Sequence, residues 1–228
     1  MSHHDRPIFL AGVVVGRRVN VGRDIETVQL VGHRVNIDFA LDVLGNGSLV
    51  DQGEGVLFVT GKAGTGKSTL IKYLSSRLED CVVLAPTAAA AINAGGDTIH
   101  SFFNLPARHI DPNEKLRLNP KSKDVVKYLR TLIIDEASMV TPNIVDAIDI
   151  LLRRYRKNSE PFGGVSVVFV GDLLQLPPVI STDEERAYFR HRYETQFFYS
   201  ADVFLQTDII PINLTQVRRQ EDGGDRKS

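Results

Sequence analysis

The chain has 228 residues, 43% of them hydrophobic, with 27 Lys and Arg against 28 Asp and Glu. That balance excludes disorder, 18 glycines and 10 prolines exclude a collagen-like or low-complexity chain, and one cysteine, Cys81, excludes an internal disulfide or a cysteine-rich zinc cluster. No apolar run approaches the about 20 residues that span a bilayer, and a formal net charge of −1 confines any nucleic-acid site to a local patch, so we expect no membrane partner and a reducing, cytoplasmic (nucleoid-associated) or nuclear compartment.

Residues 1–35 are rich in Val and Gly with charges interleaved, which predicts short strands or an irregular arm. Ile37, Ala40, Leu41 and Leu44 recur at helical spacing, so the main domain is expected from residue 36 to 220. There strand and helix alternate. An apolar run at 56–60 leads to a helix over 68–78 with Leu70, Leu74 and Leu78 on one face, then a strand at 81–85 and a short Ala-rich helix at 88–94 stopped by Gly95 and Gly96. Residues 104–130 turn polar and basic, punctuated by Pro106, Pro112 and Pro120, and are expected to run over the surface. A strand at 132–134, a helix at 143–155 and a strand at 165–170 complete the alternation, and residues 221–228, without an apolar side chain, are expected to be disordered. Strands apolar on both faces and separated by helices define an α/β fold, a mainly parallel sheet with helices on both faces.

Gly61, Lys62, Ala63, Gly64, Thr65, Gly66, Lys67 and Ser68 spell the phosphate-binding pattern G-x-x-x-x-G-K-[ST] between a strand and a helix. Glycines let the backbone curl so that N–H groups face an anion, Lys67 adds a charge at the β- and γ-phosphates, and the Ser68 hydroxyl suits Mg²⁺. LIIDEASM at 132–139 delivers two carboxylates to a strand end: Asp135 suits Mg²⁺, through water, and Glu136 suits the attacking water as base, unless both merely solvate the strand end. VVFVGDLLQLPPV at 167–179 ends a strand on Gly171 and offers Gln175, whose amide bonds either the γ-phosphate or the water beside it. In APTAAAAINAGGDTIHSFF, 85–103, Thr87, His100 and Phe102 offer hydroxyl, imidazole and aromatic faces to single-stranded nucleic acid; the competing reading is an Ala-rich core helix with two core phenylalanines. Arg153, Arg154, Arg156 and Lys157 follow Asp146 and Asp149 on one helix, which favours a solvated helix end over a nucleic-acid patch.

In this order the segments resemble the N-terminal ATPase domain, a RecA-like P-loop NTPase fold, of the PIF-like superfamily 1 DNA helicases, relatives of the RecD-like helicases. GKAGTGKST is similar to motif I, 85–103 to motif Ia with its following block, LIIDEASMV to motif II, VFVGDLLQLPPV to motif III and LTQVRRQ, 214–220, to the start of motif IV. The resemblance implies an ATP-dependent 5′-to-3′ DNA helicase motor using ATP and Mg²⁺ on single-stranded DNA. Lys67, Ser68 and the neighbouring Thr69 would hold phosphate and Mg²⁺, Asp135 Mg²⁺, Glu136 would be the base, Gln175 the γ-phosphate sensor and Arg219 the motif IV arginine. Thr87, His100 and Phe102 fall in the block that faces DNA. The family's adenine-reading glutamine has no counterpart in NIDFALDVL, 36–44, where Asn36 and Asp38 are the candidate substitutes. A second RecA-like domain, in cis or in trans, is expected to be required for full motor activity, so this chain alone is expected not to unwind DNA. The alternatives are a non-catalytic nucleotide-binding module and a small-molecule kinase whose lid would be 183–193, with Arg186, Arg190 and Arg192.

Overall fold

The computed structural model describes residues 7–10, 13–17, 56–108, 110, 114–180 and 182–214. The helix expected at 37–44, Asn36 and Asp38, Arg219 and the tail at 221–228 lie outside the described residues. Pro7–Leu10 (β1) pairs antiparallel with Val13–Arg17 (β2).

The main sheet is built from Val56–Gly61 (β3), Cys81–Ala85 (β4), Asp97–Thr98 (β5), Thr131–Ile134 (β6), Ser166–Gly171 (β7) and Ile209–Leu214 (β8), in the order β5-β4-β6-β7-β3-β8. Every pairing in it is parallel. In β3, Val56 and Phe58 join one core while Leu57 and Val59 join the other, the period of two that a strand covered on both faces requires. Lys67–Arg77 (α1) covers one face with Leu70, Ile71 and Leu74. Pro142–Arg156 (α5) covers the other with Val145, Ile148, Leu151 and Leu152, beside a cluster in which Phe169 stacks on Phe198 at 4.6 Å. Ala88–Ala94 (α2), Ile99–Phe103 (α3), Pro120–Tyr128 (α4) and Asp183–Arg192 (α6) complete the helices. The expected α/β architecture is the one observed.

β8 escapes the sequence reading because Pro211 sits inside it. Proline is tolerated there because β8 is at the end of the strand order and needs ladder bonds to β3 alone. The expectation that 104–130 runs over the surface is corrected. Leu105, Ile110, Leu116, Leu118, Val126 and Leu129 are buried in the main core, and α4 packs on α5. Charges dominate the composition of this stretch, but Leu116 and Leu118 alternate with exposed Lys115 and Arg117, so only one side of the segment is polar.

Candidate active site

In a parallel sheet ligands collect at the carboxyl edge, and here that edge gathers the ends of β3, β6 and β7. After Gly61 the chain turns back on itself through Gly64 and Gly66, with φ of 80° and 95°, a region that a residue without Cβ enters freely. Thr65, buried, locks the loop by donating from its N–H (3.3 Å) and Oγ1 (2.8 Å) to Lys62 O. Gly66 caps α1 with no side chain, and the Leu70 N–H bonds back to it at 2.9 Å. The N–H groups of the first turn are therefore left to an incoming anion. Lys67 Nζ donates to Gly61 O (2.5 Å) and Lys62 O (3.2 Å), bridging the mouth of the loop, and Ser68 and Thr69 stand exposed beside it. A phosphate oxygen is a charged acceptor and a stronger partner for the ammonium than either carbonyl.

β7 lies between β3 and β6, which sets the two acids across one strand from the loop. The Asp135 N–H donates to Leu84 O at 2.9 Å, and Asp135 Oδ1 accepts the Glu136 N–H at 2.9 Å; Oδ2 takes no hydrogen bond among the described residues. Glu136 has φ 50° and ψ 43°, a left-handed conformation that is strained for a side chain of its size. Burial raises the Asp135 pKa above the ordinary carboxylate value, against the Glu136 N–H and the Lys67 charge, which lower it. Burial also raises Glu136, with Asp135 and Asp172 adding to the rise and Lys67 opposing it. A carboxylate pushed up in this way is a better proton acceptor for water. Gln175, exposed, donates from Nε2 to Asp172 Oδ2 at 3.2 Å. Sequence reasoning did not see this role of Asp172, although D-x-x-Q after a strand carries the signal of an Asx turn.

The same sheet edge carries Thr87, two residues beyond β4, and His100, two residues beyond β5. Thr87 caps α2, its Oγ1 accepting the Ala90 N–H at 3.2 Å. His100 is half-buried, and burial lowers its pKa, so its imidazole is neutral near pH 7. Phe102 is corrected from the expectation of a DNA-facing ring. It is 8% exposed and packs edge-on against Phe103 at 5.0 Å, because Ile99, Phe102 and Phe103 form the apolar stripe of α3.

At the end of α5, Arg154 and Lys157 are exposed, as a solvated helix end requires, but Arg153 and Arg156 are half-buried and bonded within the fold. Arg153 pairs with Asp149 at 2.8 Å and donates to Ser159 O, Arg154 donates to Leu116 O at 2.7 Å, and Arg156 donates to Val126 O, Leu129 O and Gly163 O at 2.9, 2.7 and 2.8 Å. Of the arginines considered for a kinase lid, Arg186 is tied to Asp183 at 2.5 Å and Arg192 is held by both oxygens of Asp202.

Asp135, with a free Oδ2, and Ser68, with an exposed hydroxyl, fit Mg²⁺, which keeps several waters and needs few protein ligands. Among the described residues no group of three His, Cys, Asp or Glu side chains is arranged to hold a metal by itself, and no helix is long and apolar enough to cross a membrane.

The family model for PIF1-like helicases matches residues 41–226. The chain is 36% identical over 175 residues to the ATP-dependent DNA helicase RRM3 of Saccharomyces cerevisiae, covering 73% of this chain and 23% of that protein. It is 41% identical over 131 residues to the ATP-dependent DNA helicase PIF5 of Trypanosoma brucei brucei, covering 54% and 14%. The crystal structure of Pif1 helicase from Bacteroides in complex with ADP-AlF3 and ssDNA superposes with a TM-score of 0.72 at 44% identity, over 77% of this chain and 41% of that one. The chain thus spans about a quarter or less of the length of these two curated relatives and under half of the solved chain.

Proposed function

The chain belongs to the PIF1-like helicase family, and from that membership and the site geometry we propose that it is the ATP-binding and ATP-hydrolysing motor domain of a 5′-to-3′ DNA helicase. The observation that carries the reading is the loop of residues 61–68, bridged by Lys67, set one strand away from Asp135 and Glu136. The loop N–H groups and Lys67 bind the β- and γ-phosphates. Mg²⁺, held by Ser68 and Asp135, supplies charge neutralisation on the phosphates when bound. Glu136 orients the attacking water and takes its proton, and its raised pKa suits that step. Gln175 reads the γ-phosphate region, and family membership assigns the further γ-phosphate arginine to Arg219.

Single-stranded DNA is the partner, and the Bacteroides Pif1 relative solved with ssDNA supports it. Thr87 and His100 extend from the same sheet edge as the nucleotide loop, so DNA there communicates with the site through the ends of β4 and β6. A second RecA-like domain completes the motor by closing over the nucleotide. Gln175 and the aliphatic side chains beside it, Leu174, Leu176 and Val179, are exposed at 87%, 71% and 80% for the three apolar ones, a surface suited to that contact. The compartment is one that holds DNA.

The test is Mg-ATP binding followed by phosphate release with and without single-stranded DNA. Binding at micromolar to millimolar nucleotide is expected, with Lys67→Ala weakening it about a hundredfold through the loss of a charge-assisted contact. Folded protein that binds neither ATP nor ADP at millimolar concentration with Mg²⁺ would overturn the reading. Phosphate transfer to an added metabolite in place of phosphate release would favour a kinase.

A further inference from the structure

Asp172 directly follows β7 and is 9% exposed, and a carboxylate so far withdrawn from water persists only where hydrogen bonds satisfy it. Its two oxygens divide the work. Oδ1 accepts the Leu174 N–H at 3.0 Å and closes an Asx turn, while Oδ2 accepts Gln175 Nε2 at 3.2 Å. The Asp172 carbonyl oxygen accepts the Gln175 N–H at 3.0 Å. One residue therefore holds both the backbone and the side chain of Gln175, which is otherwise exposed and free to sample rotamers. An ionised carboxylate only accepts, so it selects the amide nitrogen and turns Gln175 Oε1 away from itself.

Gly171 supplies the second observation. A Cβ there would lie 3.0 Å from Ala137 N and 3.2 Å from Ser138 N, so the end of β7 touches the backbone of the turn that begins with Glu136. The register Ile134↔Phe169 aligns the two strand ends, and the glycine removes the side chain that would hold them apart. Asp172 thereby comes within electrostatic reach of Glu136.

We propose that Asp172 is a positioning residue joining the two halves of the γ-phosphate site: it holds the Gln175 amide with its oxygen outward, as an acceptor for the attacking water, and keeps that amide against the Glu136 turn. Phosphate oxygens, themselves acceptors, are left to Lys67 and the loop N–H groups. The inference rests on the nucleotide-hydrolysing reading above and adds to it the residue that orients the sensor and the ligand atom the sensor reads.

Asp172→Asn keeps the size of the side chain and places an N–H₂ group or a single acceptor where two acceptors stood. Binding of Mg-ADP, with and without aluminium fluoride as a γ-phosphate mimic, is compared between wild type and variant. The expected result is an Mg-ADP affinity within about twofold of wild type and a preference for the fluoride complex reduced about tenfold, the scale of one hydrogen bond. In a Gln175→Ala background Asp172→Asn is expected to add nothing. A purely structural Asp172 would lower stability without changing the ratio of the two affinities. Should Asp172→Asn fail to fold, Gln175→Glu opposes two carboxylates at the same contact and is expected to lose the same preference. An unchanged preference in the folded variant would overturn the proposal alone, whereas wild-type protein that binds no Mg-ADP would overturn the nucleotide reading and this inference with it.

Discussion

Lys67 and Arg156 are cations of two regions treated in opposite ways by the same fold. Lys67, at the carboxyl edge of the sheet, rests on two carbonyls of its own loop, next to helix N–H groups that no side chain among the described residues caps. Arg156, at the end of α5, closes on carbonyls of α4, of the residue after it and of Gly163. The first set consists of two neutral carbonyls, one of them on the exposed Lys62, and a charged phosphate oxygen is the stronger partner for the ammonium. The second set would be left partly buried without the guanidinium, so the charge is consumed by the fold. A basic cluster thus reports a ligand only where its present partners are dispensable, and in this protein the larger cluster is the structural one.

Variants at each region sharpen that contrast. Glu136→Gln is expected to lower phosphate release about 10²–10⁴-fold while nucleotide affinity stays within about twofold, measured by single-turnover hydrolysis beside equilibrium titration. Loss of binding in parallel would mean that the acid belongs to the fold and not to the chemistry. Phe102→Ala is expected to destabilise by about 3 kcal/mol in denaturant unfolding, as removal of a core aromatic does, and to leave the DNA affinity of the folded fraction unchanged. A DNA defect at full stability would return the ring to the DNA face. Arg156→Ala should cost about 2 kcal/mol and speed amide exchange across 120–129 with Mg-ATP affinity untouched; a nucleotide or DNA phenotype without destabilisation would break the contrast.

The smallest effect is electrostatic. Asp146 on α5 accepts the Tyr193 hydroxyl at 2.9 Å and the Val203 N–H at 3.2 Å, yet burial raises its pKa to about 6. Below roughly pH 4 the group is protonated in folded and unfolded chains alike. As pH rises toward 6 the unfolded chain releases its proton first, so stability falls through that window and the loss is complete above it. Asp146→Asn removes this slope. The stability of wild type relative to the variant is expected to fall by about 2 kcal/mol between pH 4 and 7.5, read from denaturant midpoints. A constant difference would mean that Asp146 titrates normally.

Much of the site was legible in the residues. The loop of 61–68 is a contiguous pattern whose geometry follows from glycine and from the start of a helix, the acids of LIIDEASM stand directly after an apolar strand, and Gln175 of VVFVGDLLQLPPV follows the end of another by four residues. Asp172, Thr65 and the strained backbone of Glu136 were less visible, because each acts on neighbours within a few residues through hydrogen bonds and dihedrals that composition does not express. Phe102 misled because an aromatic beside a histidine carries the same residue types whether its ring faces a base or a core.

By itself the sequence determined the alternation of strands and helices, the parallel sheet that alternation requires, and the motifs from which a nucleotide role is proposed for residues 61–69, 135, 136 and 175, since these depend on local periodicity and on contiguous patterns. Only the tertiary structure decided the strand order that sets β7 between the loop and the acids, the edge position that lets Pro211 enter β8, and the fate of the charges at 153–156. Those outcomes depend on which distant carbonyls and strands come together, and pairings between residues about 30 to 150 positions apart leave no periodic trace in the chain that forms them.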